Sequence, residues 1–308
     1  DNDPEGKILR WRNGNGSWRA NRGSVLALMM HINMWLAFFD TGNAQTYYSE
    51  VARLAEVDSW IDGTYYSLQS MEQMSNVFRG NSNEGLFEIV QNITMGEVFD
   101  TNNMWCTKVV YEVRNKTEAD FAYSEAFLTH LYPEETNDMR KEYWFKNLYR
   151  EEGTGGSSSI RPVEIIKLLN ADEYKSTTIP NAGNYIVFRL ADVILLYAEA
   201  LNNLGEREKA LQEVNRIRQR AGAPDFTMED DLDASIYWER VRELMGEGQY
   251  YYDLVRTMKI TDASFAVFSD DSGHRETMAN LKQGSWTWPI YKGALDNNPY
   301  MSKNIYWE

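Results

Sequence analysis

The stretch from Arg189 to Gly222, RLADVILLYAEALNNLGEREKALQEVNRIRQRAG, decides the fold of this chain. Its apolar residues recur at the spacing of an amphipathic helix, turn at Gly205, and recur again in a second run. The two apolar faces comprise Ile186, Val187, Leu190, Val193, Ile194, Tyr197, Ala198, Leu201 and Leu204, then Ala210, Leu211, Val214, Ile217 and Ala221. Gly222 and Pro224 end the second run. The pattern predicts an antiparallel helical hairpin that serves as scaffold.

An earlier stretch repeats the same pattern. Residues 23–40, GSVLALMMHINMWLAFFD, are followed by Gly42 and a returning helix that carries Tyr47, Val51 and Leu54. Helical spacing predicts a buried face on the first helix that comprises Val25, Leu28, Met29, Ile32, Trp35, Leu36 and Phe39. Aligning Gly42 with Gly205 places small or apolar residues at matching positions, which is typical of tetratricopeptide-like hairpins. The hairpins lie too far apart for a tandem array, so a long insertion separates them.

The sequence of the insertion predicts an irregular segment with short strands, which we call the excursion. We place it at residues 97–180, within a single domain over 1–308. Strand-like segments are NEGLFEIVQNITM just before it, then WCTKVVYEV and YWFKNLY, and EEGTGGSSS at 151–159 reads as a loop. A third helix is predicted over ASIYWERVRELMGEGQYYYDLVR, with Ile236, Val241, Leu244 and Met245 inward. Pro289 and Pro299 predict an extended tail rather than another helix.

Charge and composition exclude several function classes. The net charge of −15 over 308 residues disfavours nucleic acid and anionic lipid, because such partners require a basic face. Cys106, His31, His130 and His274 are scattered at spacings that fit no metal site, so we expect no metal and no other cofactor. His31 lies within an apolar stripe, and a hydrogen-bonded core histidine is favoured there over a catalytic base.

Glu239, Glu243 and Glu247 recur every four residues and could be read as paired catalytic carboxylates. Arginines are interleaved with them, notably Arg240 and Arg242, which favours a charge-paired network that holds the helix to its neighbours. We interpret the nearby pair Arg189 and Asp192 as an ion pair in the same way. No nucleophile elbow, phosphate loop or dinucleotide fingerprint is present in the sequence, so no catalytic residues are predicted and the chain is not expected to be an enzyme.

The insertion carries the candidate ligand contacts. Sugars stack their C–H faces on aromatic rings and pair their hydroxyls with amide or guanidinium groups. Residues of these types in the insertion are Trp105, Tyr111, Arg140, Tyr143, Trp144 and Tyr149, near Asn102, Asn103 and Lys146. For any single ring, core packing is favoured over ligand contact, because buried aromatic side chains often only fill space.

Several segments together resemble the SusD/RagB family of outer-membrane nutrient-binding lipoproteins. The resemblance is carried by FRLADVILLYAEALNNLGEREKALQEVNRIRQRAGAP, by ERVRELMGEGQYYYDLVR and by the tail WPIYKGALDNNPYMSKN. WRANRGSVLALMMHINMWLAFFDTGN and EGLFEIVQ match more loosely. The tail departs from the family pattern at Tyr291, Ser302 and Lys303. Because family members are longer at the N-terminus, the resemblance implies that the N-terminal part of the fold is absent from this chain.

The resemblance implies a mainly α, SusD-like fold and a non-catalytic protein on the outside of a Gram-negative outer membrane. Such a protein holds a nutrient, here an oligosaccharide or polysaccharide, for a SusC-like TonB-dependent transporter, and is attached through an N-terminal lipid anchor outside this chain. The acidic surface suits a neutral glycan. Three alternatives stay open: a peptide or other nutrient as cargo, an acidic helical glycosidase, and a helical adaptor that binds only protein.

Overall fold

The computed structural model describes residues 10–11, 19–90, 123, 125–146, 148–149, 164–167, 183–266, 276–298 and 300–308. Its helices are α1 (Arg22–Phe39), α2 (Ala44–Ala55), α3 (Met74–Arg79), α4 (Glu125–Leu131), α5 (Arg140–Trp144), α6 (Leu190–Asn203), α7 (Arg207–Arg220), α8 (Leu232–Glu243), α9 (Tyr250–Arg256), α10 (Met278–Gln283) and α11 (Lys292–Asn297). Its strands are β1 (Gly85–Ile89), β2 (Phe145–Lys146), β3 (Glu164–Ile165) and β4 (Tyr185–Arg189). The described part is therefore mainly α, as predicted.

Two compact units divide the chain, Asp1–Tyr250 and Tyr251–Glu308. In the first unit, α1 packs against α2, α2 against α6, and α6 against both α7 and α8. The two predicted hairpins are thus α1–α2 and α6–α7, and they are stacked through α2 and α6. They form one core whose buried members include Met30, Leu54 and Val214. Whether the whole chain is one domain stays a prediction.

The α6–α7 hairpin forms as the sequence predicts, with one change at its start. Gly205 makes the turn in the left-handed region at φ 83°, where a side chain would be strained. Ile186 and Val187 belong to β4 rather than to the helix, which begins at Leu190. β4 pairs antiparallel with β1, joining Ile89 to Tyr185 and Gly85 to Arg189. The strand predicted around residue 85 is thereby confirmed.

The face that α1 buries is different from the predicted one. Leu26, Ala27, Met30, Met34 and Ala37 are buried against the core. The seven residues of the predicted face are exposed or only half-buried: Val25, Leu28, Met29, Ile32, Trp35, Leu36 and Phe39. The prediction was wrong because α1 is apolar nearly all round, so periodicity alone does not identify the buried side. Small residues such as Ala27 allow the closer approach of neighbouring helices.

This reassignment predicts opposite outcomes for two neighbouring residues of α1. Met30 is 0% exposed, so Met30→Ala leaves a cavity and is expected to lower the free energy of unfolding by about 2–5 kcal/mol. Ile32 is 47% exposed, so Ile32→Ala should change it by less than about 0.5 kcal/mol. Urea denaturation of the two variants measures both values. Equal losses would contradict the observed orientation of α1.

Among the described residues, α1 is also the one helix that is long and apolar enough to cross a membrane, with a mean hydropathy of 1.2 over its 18 residues. One side of α1 is buried among α2 and α6, and His31 on it pairs with Asp192 of α6. In this structure α1 therefore packs on one side in the hairpin stack, and 39% of the helix is buried.

The predicted third helix is two helices. Ile236, Val241, Leu244 and Met245 are buried as predicted, but α8 ends at Glu243. Gly246 and Gly248 follow with φ of 79° and 84°, which an α-helix cannot contain, and α9 starts at Tyr250. The break matters because it exposes backbone carbonyls between the helices to side-chain donors.

In the second unit, the extended tail that Pro289 and Pro299 predict is interrupted by short helices. α10 and α11 form there, and Ile305–Trp307 adds a 3₁₀ turn. Asn304 holds this turn to the end of α10 by donating to the carbonyl of Gly284 at 3.2 Å. Proline disfavours helix for itself and for its preceding residue, which leaves room for the short helix α11 between the two prolines.

The described part of the excursion contains α4, α5 and the two-residue strands β2 and β3. Phe145 of β2 pairs antiparallel with Ile165 of β3. The strand predicted over YWFKNLY is wrong for its first half, since Tyr143 and Trp144 end α5 instead. WCTKVVYEV and EEGTGGSSS lie outside the described residues.

Candidate functional site

The carboxylates that could have been catalytic lie inside a buried ionic network. Glu239 and Glu243 project from α8 and are 0% exposed. Glu239 accepts from Arg140 at 2.7 Å, from Arg218 at 2.8 Å and from Arg242 at 3.1 Å. Glu239 therefore has an arginine on both oxygens and no open side for a substrate.

Glu243 is held in the same way from three directions. It accepts from Arg189 at 2.8 Å and Arg140 at 3.3 Å, and it forms an ion pair with Arg220. These arginines come from the end of β4, from α5 and from the end of α7. Glu243 thus joins three elements that are far apart in the sequence.

Arg189 and Lys167 bind the turn that follows α8. Arg189 donates to both oxygens of Glu247 at 2.6 and 2.7 Å, to the carbonyl of Glu243 at 2.7 Å, and to Glu84 at 2.8 Å. Lys167 donates to the carbonyls of Glu243 at 2.7 Å and Met245 at 2.9 Å, and also to Glu247. The break between α8 and α9 therefore supplies the acceptors for two buried cations.

Arg189 and Asp192 do not pair with each other, which corrects the prediction. Asp192 instead accepts from Arg240 at 2.9 Å and lies 2.7 Å from Nε2 of His31. The His31 ring also stacks on Phe188 with centroids 5.0 Å apart. His31 is therefore the hydrogen-bonded core residue that the sequence predicts.

The electrostatics of the network keep its carboxylates ionised. Burial alone would raise the pKa of Glu239, but attraction to Arg140, Arg242 and Arg218 outweighs it and lowers the pKa to about 2. The pKa of Glu243 is also lowered, because Arg220, Arg189 and Arg140 outweigh the cost of burial. Groups that are ionised at neutral pH, inaccessible and fully hydrogen-bonded serve neither as general acid nor as nucleophile. Their role here is to hold helices together.

Two of the predicted ligand contacts are inside the molecule. Trp144 is 1% exposed and Arg140 is 0% exposed. Side chains buried to this extent do not form a ligand surface, so the prediction for these two residues does not fit the structure. Arg140 is buried because it pairs with Glu239 and Glu243, and Trp144 packs beside it. Trp105 and Tyr111 lie outside the described residues.

The other two predicted contacts are accessible. Tyr143 is 38% exposed at the end of α5. Tyr149 is half-buried, its hydroxyl donates to the carbonyl of Tyr132 at 2.7 Å, and Lys141 lies 5.5 Å from its ring centroid. Burial, reinforced by Glu134, Asp138 and Glu135, raises the pKa of Tyr149 to about 12, so its hydroxyl stays protonated. Tyr143 and Tyr149 are the predicted contacts that a ligand could reach in the described part.

The ionic network includes Glu84, Lys167 and Arg220, which sequence reasoning did not assign to it. Glu84 precedes β1, and Lys167 follows β3, so each joins the network from a strand rather than from the α8 helix. A local signal existed only for Arg220, which lies in the arginine-rich last turn of α7. Among the residues that the structure describes, no group of three His, Cys, Asp or Glu side chains could hold a metal ion.

A profile of the SusD family matches residues 34–307. The chain belongs to the SusD family. This confirms the resemblance that the helical hairpin and the α8 motif indicate. The members of the ionic network lie within the matched range.

Known proteins resemble this SusD-family chain in sequence and in structure. A SusD homolog from Bacteroides thetaiotaomicron is 43% identical with a TM-score of 0.87, covering 100% of this chain and 65% of that protein. SusD-like protein P38 from Formosa agariphila is 35% identical over 133 residues, which are 40% of this chain and 24% of that protein. Surface glycan-binding protein A from Bacteroides uniformis shares the fold, with a TM-score of 0.60 and 19% identity over 97% of this chain and 64% of that protein. The SusD-family chain thus spans less than two thirds of each of these relatives.

Proposed function

We propose that this chain belongs to a non-catalytic surface protein that binds an oligosaccharide or polysaccharide as a nutrient. The observation that carries the proposal is membership of the SusD family over residues 34–307. A protein with the same fold is named as a surface glycan-binding protein, which supports a glycan as the ligand class. The proposal extends to delivery of the glycan to a SusC-like TonB-dependent transporter at the outer membrane, with an N-terminal lipid anchor.

The buried network supports the absence of catalysis in this proposal. A glycosidase needs one carboxyl group that holds a proton near neutral pH and a second one within reach of the glycosidic bond. Glu239 and Glu243 satisfy neither condition, because both are buried, paired with arginine and low in pKa. They therefore argue against an acidic helical glycosidase built on the α8 carboxylates.

The accessible aromatic side chains of the excursion support sugar contact. Tyr143 offers an exposed ring, and the protonated hydroxyl and half-buried ring of Tyr149 lie in the same segment of the chain. Rings of this kind stack on sugar C–H faces and need no charge. A net charge of −15 would oppose a strongly anionic glycan, so a neutral oligosaccharide is the ligand that we propose.

Calorimetric titration with a panel of neutral oligosaccharides tests the ligand class. We expect at least one member to bind, and Tyr143→Ala to weaken that binding about tenfold, which corresponds to about 1.4 kcal/mol. Tyr300→Ala is the matched control, since Tyr300 is 95% exposed and lies outside the excursion. Binding of peptides with no binding of any glycan would replace the glycan by a peptide as cargo. Binding of protein partners alone would indicate a helical adaptor.

A further inference from the structure

Two buried cations of the excursion enter the helical scaffold at the same place. Lys167 lies just after β3, and its side chain is 1% exposed. Its ammonium has three N–H donors, and all three are used at the α8–α9 turn. They donate to the carbonyls of Glu243 and Met245 and to the carboxylate of Glu247. Lys167 therefore binds the excursion to the turn without leaving a donor for any other group.

Arg140 enters from the other described segment of the excursion. It opens α5 and donates to Glu239 at 2.7 Å and to Glu243 at 3.3 Å, while Asp138 accepts from its remaining edge at 2.7 and 2.9 Å. The backbone N–H of Met139 also donates to the carbonyl of Ala221 at 2.8 Å. The start of α5 is thus fixed on α8 and on the end of α7.

Trp144 lies between these two cations. The Lys167 ammonium is 4.3 Å from its ring centroid and the Arg140 guanidinium is 5.7 Å away. The carbonyl of Trp144 accepts from the N–H of Ile166 at 2.8 Å, which joins the two segments through their backbone. The buried indole N–H of Trp144 has no hydrogen-bond partner in the described structure. Cation contacts and packing, rather than a hydrogen bond of its own, therefore hold this ring.

We infer that Arg140 and Lys167, with Trp144 between them, form an anchor that positions the ligand-bearing excursion on the helical scaffold. The inference rests on the proposed function, because it assigns the anchor to the segment that carries Tyr143 and Tyr149. Tyr143 is one residue before Trp144 and follows Arg140 within α5, so any rotation of α5 moves its exposed ring.

Stability alone does not explain why a lysine occupies this site. Burial lowers the pKa of Lys167 to about 8, against the attraction of Glu247, so holding the charged form inside the protein is costly. An unbranched apolar side chain of similar length would avoid that cost, and Glu247 and the carbonyl of Glu243 would keep Arg189 as their donor, so no buried charge would be left unpaired. The ammonium adds a fixed position, because its hydrogen bonds to three acceptors of the α8–α9 turn hold the end of β3 at one place on the scaffold.

Lys167→Met in the 308-residue chain tests the anchor by hydrogen exchange and calorimetry. We expect amide exchange at residues 140–149 and 164–167 to become at least about tenfold faster, while α6 and α7 exchange as in the unmodified protein. Affinity for the bound oligosaccharide should fall about tenfold with little change in Tm. Lys209→Met is the control, because Lys209 is 58% exposed on α7 and should alter neither readout.

The opposite results would overturn the anchor. Unchanged exchange at 140–149, or faster exchange spread over α6 and α7 with a lower Tm, would show that Lys167 only fills the core. If Lys167→Met does not fold, Lys167→Gln keeps a hydrogen-bond donor at this position without the charge, and the same regional pattern is expected. Faster exchange confined to 140–149 and 164–167 in a chain that binds no oligosaccharide would support the anchor and reject the glycan ligand. Failure of the anchor and failure of the proposed function therefore give different results.

Discussion

Replacing Glu243 by Gln is expected to lower the free energy of unfolding by about 3–5 kcal/mol. The carboxylate is fully buried and faces Arg189, Arg220 and Arg140, so its removal leaves three guanidinium groups short of one counter-charge. Gln has the same shape and retains an acceptor, which restricts the effect to the loss of charge. Urea denaturation followed by circular dichroism measures the change.

The control for this variant is Glu208→Gln on the exposed side of α7, which should change stability by less than about 0.5 kcal/mol. A loss below about 1 kcal/mol at Glu243 would mean that the network contributes little to the fold. A normal stability combined with loss of an enzymatic activity would instead make Glu243 a catalytic residue.

Acid should destabilise the protein between about pH 4.5 and pH 2. The pKa of Glu239 falls from an ordinary value of 4.5 to about 2, because attraction to Arg140, Arg242 and Arg218 outweighs the effect of burial. In this pH range Glu239 is protonated in the unfolded chain but stays ionised in the native state, so lowering the pH favours unfolding. The contribution of Glu239 is complete above about pH 4.5 and is lost as the pH approaches 2. The lowered pKa values of Glu243 and Asp192 act in the same direction.

Urea denaturation at a series of pH values from 7 down to 2.5 measures this dependence. Glu239→Gln should make the acid limb shallower, although its stability at pH 7 is lower, whereas Glu208→Gln should leave the slope unchanged. Stability that is constant or rises from pH 4.5 to 2.5 would contradict the ionised, arginine-paired state of Glu239.

The helical hairpins could be predicted from the sequence because their signals are local. Apolar spacing, Gly205 and Gly222 define α6–α7 without reference to any other part of the chain. The inward face of α1 could not be predicted in this way, because both sides of the helix are apolar. Its choice depends on which side meets α2 and α6, which is information that only the packed structure contains.

The site shows the same division between local and distant information. The ladder of Glu239, Glu243 and Glu247 with neighbouring arginines indicates an ionic network from one helix alone. Its partners Glu84 and Lys167 lie far away in the sequence, and no spacing rule connects them to α8. Trp144 illustrates the limit for ligand contacts, since the sequence favours core packing for any single ring but does not show which rings are buried.

One measurement tests the central claim, that this chain binds a glycan and does not convert it. A neutral oligosaccharide that binds in calorimetry is incubated overnight with the protein, and the sugar is then analysed by mass spectrometry. The account predicts a heat of binding that Tyr143→Ala weakens about tenfold, with the oligosaccharide recovered at its original mass. Shortened products that disappear in Glu243→Gln, or no heat with any glycan tried, would contradict it.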